Sequence, residues 1–275
     1  MLRSMSAAIS GLRDHQVYMD VVANNIANVN TNGYKASRVD FKDAISQTMS
    51  TGSGPTATTG GTNPVQIGLG LTLGGIDTMM TQGSLVSTGK NTDLAIQGEG
   101  FFMLGTGSPT GALTPAYFTR DGAFTLDKDG YLVDSASGDY VLDAAGTAAI
   151  KVDPTWASFS IGPDGKVNGV LADGTAATGT PQQIGLAKFP NPEGLVRAGG
   201  NMFQEGPNSG TLTAAAPGDA NTGLGTLVPG SLEASNVDLA EQFSNMIMAQ
   251  RGFEANSKAI TTSDQMLQTL VNMKQ

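Results

Sequence analysis

An α+β fold is what this sequence predicts, with long helices at both ends of the chain and an antiparallel all-β middle. Three observations carry it. Glycine is segregated, because residues 1–50 hold only Gly11 and Gly33, residues 235–275 hold only Gly252, and the other 34 lie between. Both ends show seven-residue apolar spacing, whereas the middle alternates short apolar runs with turn residues.

At the N-terminus Leu2, Ile9, Gln16 and Ala23 form one series spaced by seven, and Met5, Leu12, Met19 and Ile26 form another. The two are offset by three, the a/d pattern of a coiled-coil seam, with Gln16 and Ala23 as imperfections. The pattern stops at Asn28-Val-Asn-Thr-Asn-Gly33, a cluster that ends helices and opens turns. Segments 1–30 and 236–275 are therefore expected to form a terminal helical, coiled-coil assembly domain. Segment 31–69 is expected as an extended connector. Within it Ser50 to Asn63 is almost wholly Ser, Thr, Gly, Ala and Pro, which suits a loop or a weakly paired ribbon.

Residues 70–235 are expected to be a β-rich outer domain. Candidate strands include 94–96, 101–104, 117–119, 123–126, 131–133, 140–142, 149–152, 158–161, 167–170, 184–189 and 202–205. Glycines 122, 130, 138 and 146 keep an eight-residue beat, carried by Asp121-Gly, Asp129-Gly, Ser137-Gly and Ala145-Gly, which predicts consecutive hairpins.

The C-terminal helix should begin near 236–238, where Ser235-Asn-Val-Asp and Asp238-Leu-Ala-Glu both resemble a capping box. Its heptad series is Leu239, Met246, Phe253, Ile260 and Leu267, flanked by Phe243, Ile247, Leu270 and Val271. Two amphipathic helices packed on a globular core would be the ordinary reading. However, the glycine-rich middle offers no helical partner, so the helices are expected to pair with each other or with other subunits. Gly11 and Gly252 each cost about 1 kcal/mol in a helix interior, a cost accepted where backbones approach closely or bend. The stripes bury too little within one chain to offset ordering, so the helices are expected to fold on assembly.

Charge and composition exclude several classes. The chain has 15 basic and 24 acidic residues and a net charge of −9, all of which arises in residues 51–234. An acidic midsection argues against nucleic acid and anionic membrane as partners. No apolar run is long enough to span a bilayer, and the start lacks the apolar stretch of a cleaved signal peptide. With no Cys and a single His, His15, neither a thiolate metal site nor a Ser-His-Asp triad is expected. The sequence Leu126-Asp-Lys-Asp-Gly-Tyr-Leu lacks the third acidic position and the bidentate Glu of a calcium loop, and is read as a turn. Residues 68–74 fit neither a dinucleotide nor a P-loop pattern. No catalytic residue, metal or cofactor is expected, and the protein is not expected to be an enzyme.

Val22-Ala-Asn-Asn-Ile-Ala-Asn-Val-Asn-Thr-Asn-Gly-Tyr-Lys35 resembles a signature of the bacterial flagellar rod and hook family. The segments 245–267, 93–102 and 117–124 resemble other segments of that family, in the expected order. The resemblance marks Asn24, Asn25, Asn28, Thr31, Gly33 and Tyr34 as family-motif positions. It implies a subunit exported without a cleaved signal by the flagellar type III apparatus. Such subunits polymerise into a helical tube with a coiled-coil inner layer and outward-facing β domains. Assembly residues are then expected at Leu2, Met5, Ile9, Leu12, Met19 and Ile26, and at Leu239, Phe243, Met246, Phe253, Ile260 and Leu267. Expected partners are copies of itself and other axial proteins (rod, hook–filament junction and hook cap), without membrane insertion. The segments 246–253 and 267–274 resemble hook more than rod. A short extracellular hook protein is therefore expected, with a distal rod subunit in the cell envelope as the alternative. A secreted β-rich adhesin is the reading from another class, and it would need a concave aromatic pocket that the sparse aromatics of the middle do not suggest.

Overall fold

A computed structural model of the chain describes residues 2–56, 58, 60–109, 111, 113–175 and 182–273, and the side chains of Leu2 and Arg3 lie outside that description. The chain divides into two compact units. One comprises residues 1–27, 37–78 and 238–275, and the other residues 28–36 and 79–237.

The first unit contains both helices, α1 (Leu2–Ala27) and α2 (Leu239–Asn272), with strands β1 (Ser37–Asp43), β2 (Ser46–Ser50), β3 (Val65–Gly68) and β4 (Leu71–Thr78). The helix start expected near 236–238 is realised by Asp238, whose Oδ1 accepts from the amides of Ala240 at 2.8 Å and Glu241 at 3.3 Å. The helices run antiparallel, since Asn25 meets Gln242, His15 meets Gly252 and Gly11 meets Asn256. β1 pairs with β4 as a ribbon, and Phe41 of β1 lies 5.8 Å from the Tyr18 ring and 6.1 Å from that of His15. β2 and β3 form a separate exposed ribbon, extended by a bridge between Ser53 and Thr62. Segment 31–69, expected as a connector, thus contributes three strands. Ala57 and Thr59 of its low-complexity stretch lie outside the described residues.

The second unit contains β5 (Leu85–Ser87), β6 (Leu94–Gln97), β7 (Phe101–Gly105), β8 (Pro115–Thr119), β9 (Phe124–Leu126), β10 (Leu132–Asp134) and β11 (Tyr140–Val141). It continues with β12 (Trp156–Ile161), β13 (Val167–Leu171), β14 (Leu186–Lys188), β15 (Val196–Gly199), β16 (Met202–Gln204), β17 (Thr213–Ala215), β18 (Thr226–Pro229) and β19 (Ser231–Glu233). The described pairings are all antiparallel, and the largest sheet runs β15-β16-β8-β7-β11-β10-β9, with β14 on the edge of β7 and β17 on β14. β7 is buried along its whole length. Its period-two alternation sends Phe102 and Leu104 into one apolar cluster with Phe124, Ile150 and Ile184. Phe101 and Met103 enter a second cluster with Phe118, Phe189 and Phe203. A continuous apolar run is what a strand packed on both faces requires.

The glycine beat is a sequence of turns at three of its four positions. Gly130, Gly138 and Gly146 have φ of 85°, 77° and 69°, the left-handed region that side chains avoid. Gly122 departs from that expectation. Its place is set by space, because a Cβ there would lie 1.7 Å from the carbonyl oxygen of Leu94. Segment 149–152 makes isolated bridges to Leu142 and Tyr131 rather than a strand.

Candidate assembly surface

Two features of the first unit separate what holds the helices together from what they present. The seam of the α1–α2 pair uses one heptad stripe, Ala8, His15 and Val22 with Gly11, Tyr18 and Asn25, of which Ala8, Gly11, Val22 and Asn25 are buried. The facing residues on α2 include Gln242, Ala249, Gly252, Asn256 and Ser263. The close approach expected of the two helical glycines is met. A Cβ on Gly11 would come within 2.6 Å of Asn256 Nδ2, and one on Gly252 within 2.6 Å of the His15 ring. Near its C-terminal end, α1 is fixed by Asn25. Its Nδ2 donates to Gln242 Oε1 at 3.1 Å and to the Ser37 carbonyl at 2.8 Å, while its Oδ1 accepts from the Ser37 amide at 3.0 Å. Burial, with the Glu241 carboxylate adding to it, pushes the Tyr18 phenol above its ordinary pKa.

The seam therefore lies one residue earlier than the expected apolar stripe, a rotation of about 100° around the helix. The physical reason is size: small and amide side chains let two backbones come close, and Met, Ile and Leu at those positions would hold them apart. The expected stripe residues are left partly uncovered. On α1, Met5, Leu12, Met19 and Ile26 are half-buried and Ile9 is 40% exposed. Leu2 is helical, with its side chain outside the described set. On α2, Phe243 is 51% and Phe253 37% exposed, Leu239 is exposed, and Met246, Ile260 and Leu267 are half-buried. Both helices thus carry rows of large apolar side chains that the intramolecular seam does not consume, the kind of surface that marks an interaction site.

The motif positions after the helix belong to the second unit. Thr31 Oγ1 donates to Asn28 Oδ1 at 3.2 Å, and the Thr31 amide donates to the Asn28 carbonyl at 3.1 Å, closing the turn. Gly33, with φ of 65°, donates its amide to the Glu233 carbonyl at 2.8 Å. Tyr34 is buried under the Arg197 guanidinium, 5.3 Å from the ring centroid. Asn24 is exposed and Asn28 half-buried.

Sequence reasoning missed what anchors this segment. Lys35 Nζ donates to Glu233 Oε1 at 2.6 Å and to the Thr81 carbonyl at 2.8 Å. Arg120 donates to Glu233 Oε2 at 3.3 Å and to the Gly98 carbonyl at 2.8 Å. All three charged side chains are at least nine-tenths buried. Burial draws both Lys35 and Arg120 below their ordinary pKa values, and Glu233 opposes that shift in each. Lys35 and Arg120 both stand in quoted family segments; Glu233, 198 positions after Lys35, had no local signal to mark it.

Among the described residues there is no group of His, Cys, Asp and Glu arranged to hold a metal, and no helix is long and apolar enough to cross a membrane. Three family models match successive parts of the chain. Residues 5–35 match a "Flagella basal body rod protein" family, residues 95–169 a "Flagellar hook protein FlgE/F/G D1 domain" and residues 228–273 a "Flagellar basal body rod FlgEFG protein C-terminal" family. The flagellar basal-body rod protein FlgG of Bacillus subtilis is 50% identical over 275 residues, with all of both chains covered. The protein of the same name from Borreliella burgdorferi is 38% identical over 276 residues, covering 100% of this chain and 99% of its own. The flagellar hook protein FlgE of that organism is 30% identical over 449 residues, with both chains covered. Rod relatives thus match at higher identity than this hook relative, which favours the rod alternative over the expected hook. On the 50% identity along the whole of both chains and the three family matches, the chain belongs to the FlgE/F/G family of flagellar axial proteins, which are structural components and not enzymes.

Proposed function

We propose that this chain is the subunit of the distal flagellar rod, a stiff drive shaft in the cell envelope, built by polymerisation through its two helices. The observation that carries this reading is the 50% identity to a rod protein along the whole of both chains. The rows containing Met5, Ile9, Leu12, Phe243 and Phe253 are the surfaces on which copies pack, forming the inner coiled-coil layer of a tube, with β domains outside. The exposed β2–β3 ribbon supplies a further lateral contact, and it carries Met49, Val65 and Ile67 outward. Other rod and hook proteins are the neighbours at either end, and export through the flagellar apparatus delivers the subunit.

Electron microscopy of tubes grown from concentrated protein tests the reading. Straight, stiff tubes are expected, and curved, bendable tubes would restore the hook.

A further inference from the structure

The buried charges that meet at Glu233 do not balance. Lys35 and Arg120 share the single carboxylate of Glu233, which leaves one net positive charge in an environment where unpaired charge is costly. Arg120 Nε is buried with no hydrogen-bond partner among the described residues. Arg120 also lines a cavity of about 220 Å³, walled by Met80, Phe101, Phe189, Pro190 and Pro192. At its rim Lys188 Nζ contacts Glu99 Oε2 at 2.7 Å, and Glu99 remains 73% exposed. Glu99 acts electrostatically on Arg120 as well. An exposed carboxylate therefore serves both rim and interior cations.

We infer that this cavity receives a carboxylate side chain, with its apolar stem, from a second copy of the chain. This rests on the proposed polymerisation. The apolar walls suit a hydrocarbon stem better than a hydrated inorganic anion. The charge complementarity is built into the homopolymer, because residues 51–234 carry 16 acidic and seven basic side chains and present the pocket's cations to an acidic neighbour. Glu99 is the stand-in: it holds Lys188 in the free subunit and swings out when the neighbour's carboxylate enters. Two segments that carry the family resemblance, 93–102 and 117–124, meet at this cavity through Glu99, Phe101 and Arg120, so their pattern acquires a use beyond packing.

The test avoids Arg120, whose loss endangers the fold, and uses Lys188→Gln and Glu99→Gln in the full chain. Phenylacetate, benzylamine and chloride are titrated into monomer, and the Met80 methyl NMR signal is followed. Saturable binding of phenylacetate alone is expected, weakened about tenfold by Lys188→Gln and strengthened by Glu99→Gln. Equal response to benzylamine, response to chloride, or opposite variant effects would overturn the site. In the second arm the critical concentration for tube growth should rise in Lys188→Gln and fall in Glu99→Gln. If wild-type tubes form and both variants match them, the neighbour is not the source of the carboxylate and the inference fails while the rod reading stands. Failure of wild-type protein to form tubes removes the rod reading and, with it, the neighbour assignment.

Discussion

Replacing Glu233 by Gln tests the two-cation, one-carboxylate arrangement directly. Three donors converge on that carboxylate: Lys35 at 2.6 Å, Arg120 at 3.3 Å and the Gly83 amide at 2.8 Å on Oε1. A glutamine keeps the volume but removes the buried carboxylate that the two cations share, leaving both without a buried counter-charge. Loss of one partner from a buried pair costs about 3–5 kcal/mol, and the second stranded cation puts Glu233→Gln at or above the upper end. For a domain of this size that corresponds to a fall in melting temperature of roughly 10–20 °C. Lys35→Met behaves differently, because it leaves a one-to-one Arg120–Glu233 pair and puts an apolar chain in the place of the ammonium. Its cost should be about 0–2 kcal/mol, the loss of a bond to the Thr81 carbonyl being offset by relief of the excess charge. Differential scanning calorimetry of the full chain separates the transitions, and helix circular dichroism should be unaffected. Equal losses for Glu233→Gln and Lys35→Met would refute the reasoning, as would a loss below about 1 kcal/mol for Glu233→Gln.

Phe253→Asp or Leu12→Asp should abolish tube growth, followed by light scattering, while leaving the melting of the second unit unchanged, because each would bury an unpaired charge between copies. Gly252→Leu should part the helices at His15 and lower α-helix content, with the second unit intact; unchanged helicity would remove the close-approach argument. Amide exchange of the monomer should show weak protection along α1 and α2, whose seam of Gly, Ala, Asn and Gln buries little apolar surface, and strong protection in tubes. Burial, with Asp134 and Asp93 adding to it, raises the Asp121 pKa to about 6. The folded chain then holds a proton that the unfolded chain releases at lower pH, so this group costs stability as pH rises from about 4 to 6. Asp121→Asn should remove that decline and stabilise by about 1–2 kcal/mol at pH 7, read from melting temperatures at pH 4 to 8.

The features legible in the sequence are those written in local spacing. Asp238 caps a helix three residues before Glu241, and Gly130, Gly138 and Gly146 turn successive connections eight residues apart; each pattern is local in sequence. The helix seam was not legible, because Gly11, His15, Asn25, Gln242 and Asn256 form a heptad that no hydropathy scale registers, beside an apolar one that it does. β18 and β19 escaped notice because their partners, β6 and β5, lie more than 100 residues earlier, and short runs such as Ser231–Glu233 have no pattern of their own. No pattern in the sequence around Glu233 sets it apart; only the fold brings Lys35 and Arg120 to it.

The chain enters the second unit at residues 28–36, returns to the first for residues 37–78, and leaves the second unit for good near residue 237; the first and last of these stretches are bonded to each other. Gly33 donates to the Glu233 backbone, Lys35 pairs with the Glu233 side chain, and the Ala36 amide donates to Asn236 Oδ1 at 2.8 Å. Tension or torque arriving along the chain from either helix meets this crosslink where the chain joins the second unit, at Glu233 on the end of β19. Residues 79–232 form a loop closed by this crosslink, whereas residues 37–78 return to the first unit and pack on α1 through Ser37 and Phe41. The β domain can vary in shape, shed a hairpin or accept an insertion without altering how force passes from one helix to the other.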